Sequence, residues 1–169
     1  MKRHPGGAEH TRRMIGLAAL EPHAKVLDMG AGDGETVRLL RELGYAAQGI
    51  DLAPEGEDVE KGDFLSLPYS DASFDAVISQ CAFYVSGDPR GALSEAVRVL
   101  KKGGKLLLSD VWFQNSVQTV ENVGFSVLHR EDMTAAWREY YIEAIWRGDT
   151  DGIPVKGKCT YEMLICKKE

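Results

Sequence analysis

Apolar and polar positions alternate in blocks along this chain. The runs KVLDM (25–29), AAQGIDL (46–52), FDAVIS (74–79), KLLLSDVW (105–112), FSVLHR (125–130) and CTYEMLICK (159–167) read as strands. A short further strand is predicted over 59–61. Between them, apolar residues recur at helical spacing. Residues 9–20 predict a leading helix with Met14, Leu17 and Ala18 on one face, closed by Pro22. Residues 35–43 predict a helix burying Val37, Leu40 and Leu43, with Gly44 where a helix C-cap favours glycine. Asp88-Pro89 supplies an N-cap and first-turn proline for a helix carrying Leu93, Ala96, Val97 and Leu100 and stopping at Gly103-Gly104. A short helix to Val123 ends at Gly124, and 134–147 reads as an aromatic-rich helix followed by a Gly- and Asp-rich loop. Strands alternating with helices predict an α/β doubly wound sheet, covered by helices on both faces. FDAVIS, apolar throughout, is what a central parallel strand requires.

Composition narrows this picture only slightly. The 169 residues, 44% hydrophobic and 27% charged, suit one well-buried domain over 1–169. Within it, 1–22 forms a leading helical segment, and 133–158 a helix and loop inserted between strands six and seven. A net charge of −6 disfavours a nucleic-acid partner, which needs a basic face. Cys81, Cys159 and Cys166, with no CxxC pair or histidine cluster, predict reduced thiols, no metal and a cytoplasmic setting. IGLAAL is too short for a signal core, and no stretch approaches a membrane span.

The candidate chemistry starts at VLDMGAGDGET (26–36). Gly30, Gly32 and Gly34 permit positive φ and a close approach of backbone to ligand. The turn feeds a helix N-terminus suited to an anion. Asp51 ends the second strand, where a carboxylate can accept both hydroxyls of a ribose. A tight strand-to-helix turn without a ligand is the plainer alternative.

Four segments in order resemble the class I S-adenosylmethionine-dependent methyltransferases: VLDMGAGDG, GIDLAP, GDFLSLPYSDASFDAVIS and RVLKKGGKLLLSD. The resemblance covers roughly residues 5–132 and is nearest to the small-molecule, ubiquinone- and menaquinone-biosynthesis-like branch. HPGGAEHTRRMIGLAAL also resembles the leading helix found in parts of that branch. The resemblance implies a Rossmann-like sheet of seven strands in order 3-2-1-4-5-7-6, the last antiparallel. It implies S-adenosyl-L-methionine as cofactor, and a methyl group moved to a small-molecule acceptor by in-line displacement. For cofactor binding it points to Asp28, Gly30, Ala31, Gly32, Gly34, Asp51, Leu52, Asp63, Phe64 and Gln80. The helix N-terminus takes the carboxylate, the Gly30 carbonyl and, through water, Asp28 the ammonium, and Asp51 the ribose. Leu52 meets the adenine face, Asp63 its amino group with Phe64 alongside, and Gln80 the methionine end. Asp71 and Asp75 suit turn roles.

Only eleven residues separate Asp51 from Asp63, where the family inserts a full helix. That departure predicts a thin sheet edge and a more open adenine side.

Methyl transfer from a sulfonium needs alignment above all, so no catalytic residue is assigned. Candidates for the acceptor pocket come from the carboxyl ends of the strands: Cys81, Tyr84, Trp112 with Phe113, and His129. Trp137 and Tyr141 join them from the 134–147 helix, whose aromatic face reads first as packing on the sheet and alternatively as a lid over an apolar acceptor or a dimer contact. His4 and His10 lie in the leading segment. Cys81 as a metalloid ligand is the weaker alternative to a small buried thiol. The expected partner is a small-molecule acceptor, with no nucleic acid or membrane, and the protein a monomer or homodimer. Two rival readings remain: a non-catalytic cofactor-binding or assembly protein on the same scaffold, and a NAD-dependent Rossmann oxidoreductase. Against the latter stand the GxGxG spacing and the lack of a Tyr-xxx-Lys pair.

Overall fold

The structure is a computed structural model that describes residues 4–148 and 157–169. The predicted loop after the 134–147 helix lies largely outside the described residues. Elements follow in the order α1 (Gly7–Ala18), β1 (Lys25–Met29), α2 (Glu35–Glu42), β2 (Ala46–Asp51), β3 (Val59–Lys61) and β4 (Phe74–Gln80). Then come α3 (Pro89–Val99), β5 (Leu100–Trp112), α4 (Ser116–Glu121), β6 (Phe125–Asp132), α5 (Thr134–Trp146) and β7 (Thr160–Lys168). The seven strands form one sheet ordered β3-β2-β1-β4-β5-β7-β6. β7 runs antiparallel to both neighbours, and the other pairs are parallel, as expected from the sequence.

The period-two alternation of the strands divides the core into two layers. Val26, Ile78, Leu107 and Ile165 face Met14, Ile15, Val37 and Leu40 of α1 and α2. Their neighbours Leu27, Val77, Leu106 and Leu164 face Leu93, Ala96 and Val99 of α3 and Val120 of α4. Burying both faces lets β1, β4 and β5 read as nearly continuous apolar runs. Each fully buried Leu or Ile contributes about 1.5–3 kcal/mol.

Three local expectations are corrected. On α1 the buried stripe is His10, Thr11, Met14, Ile15 and Ala18, while Leu17 is 41% exposed. Two buried polar residues set the phase of that face, which a count of apolar positions misses. α2 ends at Glu42, so Leu43 turns outward and Leu39 takes its place in the core. α3 ends at Val99 because Leu100 already pairs with Phe74. A register shift between Phe74 and Ala76 then absorbs Lys101–Gly104 into a longer β5.

The N-cap of α3 is as expected: Asp88 accepts from the Gly91 N–H at 2.8 Å, and Pro89 opens the first turn. No helix forms between β2 and β3. Among the described residues, no helix is long and apolar enough to cross a membrane.

Candidate active site

The glycine turn is fastened to the end of β2. The Gly30 and Ala31 N–H groups both donate to the Ile50 carbonyl, at 2.9 and 3.1 Å. Gly30 has φ +85°, and a Cβ there would lie 2.4 Å from Ala82 Cβ, so no other residue fits. One Asp51 oxygen accepts from the Gly32 N–H and the other from the Ala53 N–H, both at 2.9 Å. Each oxygen retains capacity for a further donor. Asp33 accepts from the Glu35 N–H at 3.0 Å, which begins α2. The short β2–β3 segment folds back onto this turn: the Glu55 N–H donates to the Gly32 carbonyl at 3.0 Å. Gly56 sits so close that a Cβ would be 2.2 Å from the Asp33 carbonyl oxygen.

Beside the turn lies a small cavity bounded by Asp28, Gly30, Gly32, Thr36, Gln80 and His4. Asp28 is 4% exposed, and no hydrogen bond reaches its carboxylate among the described residues. Burial pushes it up to about 8, reinforced by the negative charges of Asp51 and Asp33. An orphaned buried acceptor of this kind fits a cationic ligand group, which would restore its charge. Gln80, at the end of β4, is held between the hydroxyls of Thr36 and Thr11, at 3.4 and 3.2 Å. Its amide nitrogen lies 3.4 Å from His4 Nδ1. The leading segment thus forms a wall of the cavity, and Thr11, Thr36 and His4 join residues the sequence singled out. Burial lowers the His4 pKa.

The remaining cofactor candidates flank this centre. Leu52 is 62% exposed beyond β2, leaving an apolar face open. Asp63 caps a turn by accepting from the Leu65 N–H at 2.8 Å and is otherwise exposed. Phe64 is buried against Phe83, ring centroids 5.6 Å apart, and makes a floor rather than an open stacking surface.

Across the strand ends, Cys81, Tyr84, Trp137 and Tyr141 gather around Val111 and Tyr161. Trp137 lies parallel to Tyr161 with centroids 6.3 Å apart, and Tyr141 meets Trp137 edge-on at 5.1 Å. Cys81, with φ +56°, places its sulfur 3.2 Å from the Tyr161 hydroxyl. Burial pushes that thiol up to about 12, so it is neutral, and no reactive thiolate stands here.

Asp110 was not singled out from the sequence, although a carboxylate ending an apolar strand is a readable signal. It is buried and accepts from the N–H groups of Phe83, Tyr84 and Val111, at 2.9, 3.2 and 2.7 Å. It therefore shapes the turn after β4. Burial raises it to about 6 despite those three bonds.

Trp112 departs from this cluster, packing into the core on the α3 side. His129 is not brought to the site. It pairs with Ile165, which pairs with Leu107, so it stands mid-sheet on edge strand β6, 3.6 Å from Glu131. His10 is anchored in the core, 2.8 Å from the Ser109 hydroxyl, and burial lowers it to about 4.

A seven-stranded sheet with β7 antiparallel between β5 and β6, and a glycine turn leading from β1 to α2, defines the class I methyltransferase fold. Residues 27–108 match the family described as Methyltransferase domain. The chain is 34% identical over 127 residues to a glycine/sarcosine/dimethylglycine N-methyltransferase of Actinopolyspora halophila, covering 65% of this chain and 22% of that protein. It is 33% identical over 113 residues to a demethylmenaquinone methyltransferase of Tropheryma whipplei, covering 58% and 45% respectively. The chain thus spans less than half the length of these relatives. Among solved structures, phosphoethanolamine N-methyltransferase 2 of Haemonchus contortus, in complex with S-adenosyl-L-methionine, superposes with TM-score 0.77 at 18% identity, covering 98% of this chain and 53% of that one. The [4+2]-cyclase SpnF superposes with TM-score 0.71 at 20% identity, covering 99% and 84%. The match over residues 27–108 and these relatives support a class I S-adenosylmethionine-dependent methyltransferase domain.

Proposed function

We propose that this protein binds S-adenosyl-L-methionine at the glycine turn and methylates a small-molecule acceptor. The observation that carries the reading is the orphaned Asp28 carboxylate, buried at the end of β1 beside the turn and Asp51. In this reading Asp28 pairs with the methionine ammonium and Asp51 accepts the ribose hydroxyls. Gly30, Ala31, Gly32 and Gly34 let the backbone approach, and Gln80 borders the methionine end. Leu52 covers one adenine face, Asp63 takes the adenine amino group, and Phe64 supports the turn from below. Bound there, the cofactor supplies a methyl group activated by its sulfonium. The protein's own share is alignment and exclusion of water, a proximity effect worth up to about 7–11 kcal/mol. The neutral Cys81 and the fully engaged Asp110 act as scaffold.

The one domain works in the cytoplasm as a monomer or homodimer, with no nucleic-acid partner. The folding of SpnF into the same scaffold keeps a non-methylating cofactor-binding role as the second reading. Calorimetric titration with S-adenosylmethionine, S-adenosylhomocysteine and NADH tests the binding step. Micromolar binding of both adenosyl ligands, lost in Asp51→Ala, supports the reading, and a preference for NADH overturns it. Binding without turnover on any acceptor would favour the second reading.

A further inference from the structure

A second cavity, of about 390 Å3, opens where β4 and β5 end, between the start of α3 and α4. Its apolar wall is aromatic: Tyr84 and Phe113 stack with centroids 5.1 Å apart, and Trp112 adjoins them. Trp112 is 8% exposed, yet its indole N–H has no acceptor. A buried donor left unsatisfied beside a cavity is costly unless a ligand or water completes it.

The polar rim carries one free charge. Asp88 lines the cavity, but its carboxylate is engaged by the Gly91 N–H at the start of α3. The Arg90 guanidinium lines it too and makes no ion pair or hydrogen bond among the described residues. An uncommitted guanidinium in a chain of net charge −6, above an aromatic wall, is a ready anion receptor.

The turn after β4 links this cavity to the glycine turn. Gln80 borders the glycine-turn cavity, Cys81 joins the Tyr161 cluster, and Tyr84 belongs both to that cluster and to the second cavity. Asp110 holds the turn rigid by accepting from the Phe83 and Tyr84 N–H groups.

We infer that this cavity seats the methyl acceptor, and that the acceptor is a planar aromatic molecule bearing a carboxylate or similar anion. Its ring lies against Tyr84, Phe113 and Trp112, and its anion on Arg90. The inference rests on the methyltransferase reading. In the transfer, the acceptor's heteroatom gives an electron pair to the methyl carbon. The carbon–sulfur bond breaks with its pair on sulfur, and the acceptor's proton passes to water.

The test uses the full chain saturated with S-adenosylhomocysteine. It is titrated calorimetrically with 1-hydroxy-2-naphthoate, with 1-naphthol and with dimethylglycine. The naphthoate is expected to bind at least tenfold tighter than 1-naphthol. Arg90→Gln should abolish that difference while leaving the affinity for S-adenosylhomocysteine unchanged. Trp112→Phe should weaken both naphthyl ligands a few-fold, and circular dichroism checks that each variant folds. Equal affinity for the two naphthyl ligands, a preference unaltered in Arg90→Gln, or a preference for dimethylglycine would overturn the assignment. So would an absence of binding. Failure of S-adenosylhomocysteine itself to bind would instead bring down the methyltransferase reading, and the acceptor assignment with it.

Discussion

The two halves of the carboxyl edge of this sheet are built on different principles. At β1 and β2 the site is mostly backbone: glycines and N–H groups fastened by short hydrogen bonds, two of them to the Asp51 carboxylate, with the buried Asp28 carboxylate left unbonded beside them among the described residues. At β4, β5 and β7 it is side chain: aromatic rings assembled from α5, β7 and the turns after β4 and β5. A backbone site tolerates almost no substitution, since each position has one steric solution. An aromatic site tolerates repacking, and this is where a shared scaffold can change its acceptor.

The largest separation between the halves is expected from Trp137→Ala. Removing a buried indole should cost about 3–5 kcal/mol of stability, read by urea denaturation. In whatever fraction stays folded, affinity for S-adenosylhomocysteine should be unchanged. A parallel loss of adenosyl affinity would show that the two halves are not independent.

Gly30→Ala should do the reverse. It puts a Cβ against Ala82 at φ +85°, with about 1–3 kcal/mol of strain and clash. Calorimetry should show adenosyl binding weakened at least tenfold. Asp51→Ala removes the acceptor of two backbone N–H groups and of the proposed ribose. A loss of about 1.5–3 kcal/mol in binding is expected, and an unchanged dissociation constant would remove Asp51 from the site.

A pH series sharpens the contrast further. Asp28 titrates near its ordinary 3.8 when unfolded and near 8 when folded. Between those values the folded protein holds the extra proton. Stability of the ligand-free protein therefore has its Asp28 contribution intact below that window and loses it as pH rises toward 8. Urea midpoints at pH 5.5, 7 and 8.5 should show the decline, and Asp28→Asn should flatten it. The smallest effect is expected from Leu52→Ala, an exposed contact, at about 0.5 kcal/mol in adenosyl affinity.

The same contrast explains what the sequence could disclose. The glycine turn and Asp51 were legible because each follows directly on an apolar strand and each residue type has a steric or charge reason at its position. β1, β4 and the core of β5 were legible because burial on both faces leaves an unbroken apolar run. The aromatic gathering of Cys81, Tyr84, Trp137 and Tyr141 was visible only as separate candidates, since residues far apart in sequence meet there. His129 looked equivalent on the same grounds, but β6 runs on to Asp132 and leaves His129 in mid-sheet opposite Ile165. The face of α1 was misjudged because His10 and Thr11 are polar and buried. They are satisfied by Ser109 and Gln80, partners that no local pattern reveals.

The placement of β7 bears on how the molecule assembles. β6 is synthesised before β7, yet among the described residues its strand partner is β7 alone, and β5 likewise presents an unpaired side until β7 inserts. An intermediate with β1 to β5 formed would leave β6 undocked and one edge of β5 open. Such an edge is a template for wrong pairing. The late strand is therefore the step that closes the sheet, and expression at low temperature or with chaperones should matter most for variants that slow its docking.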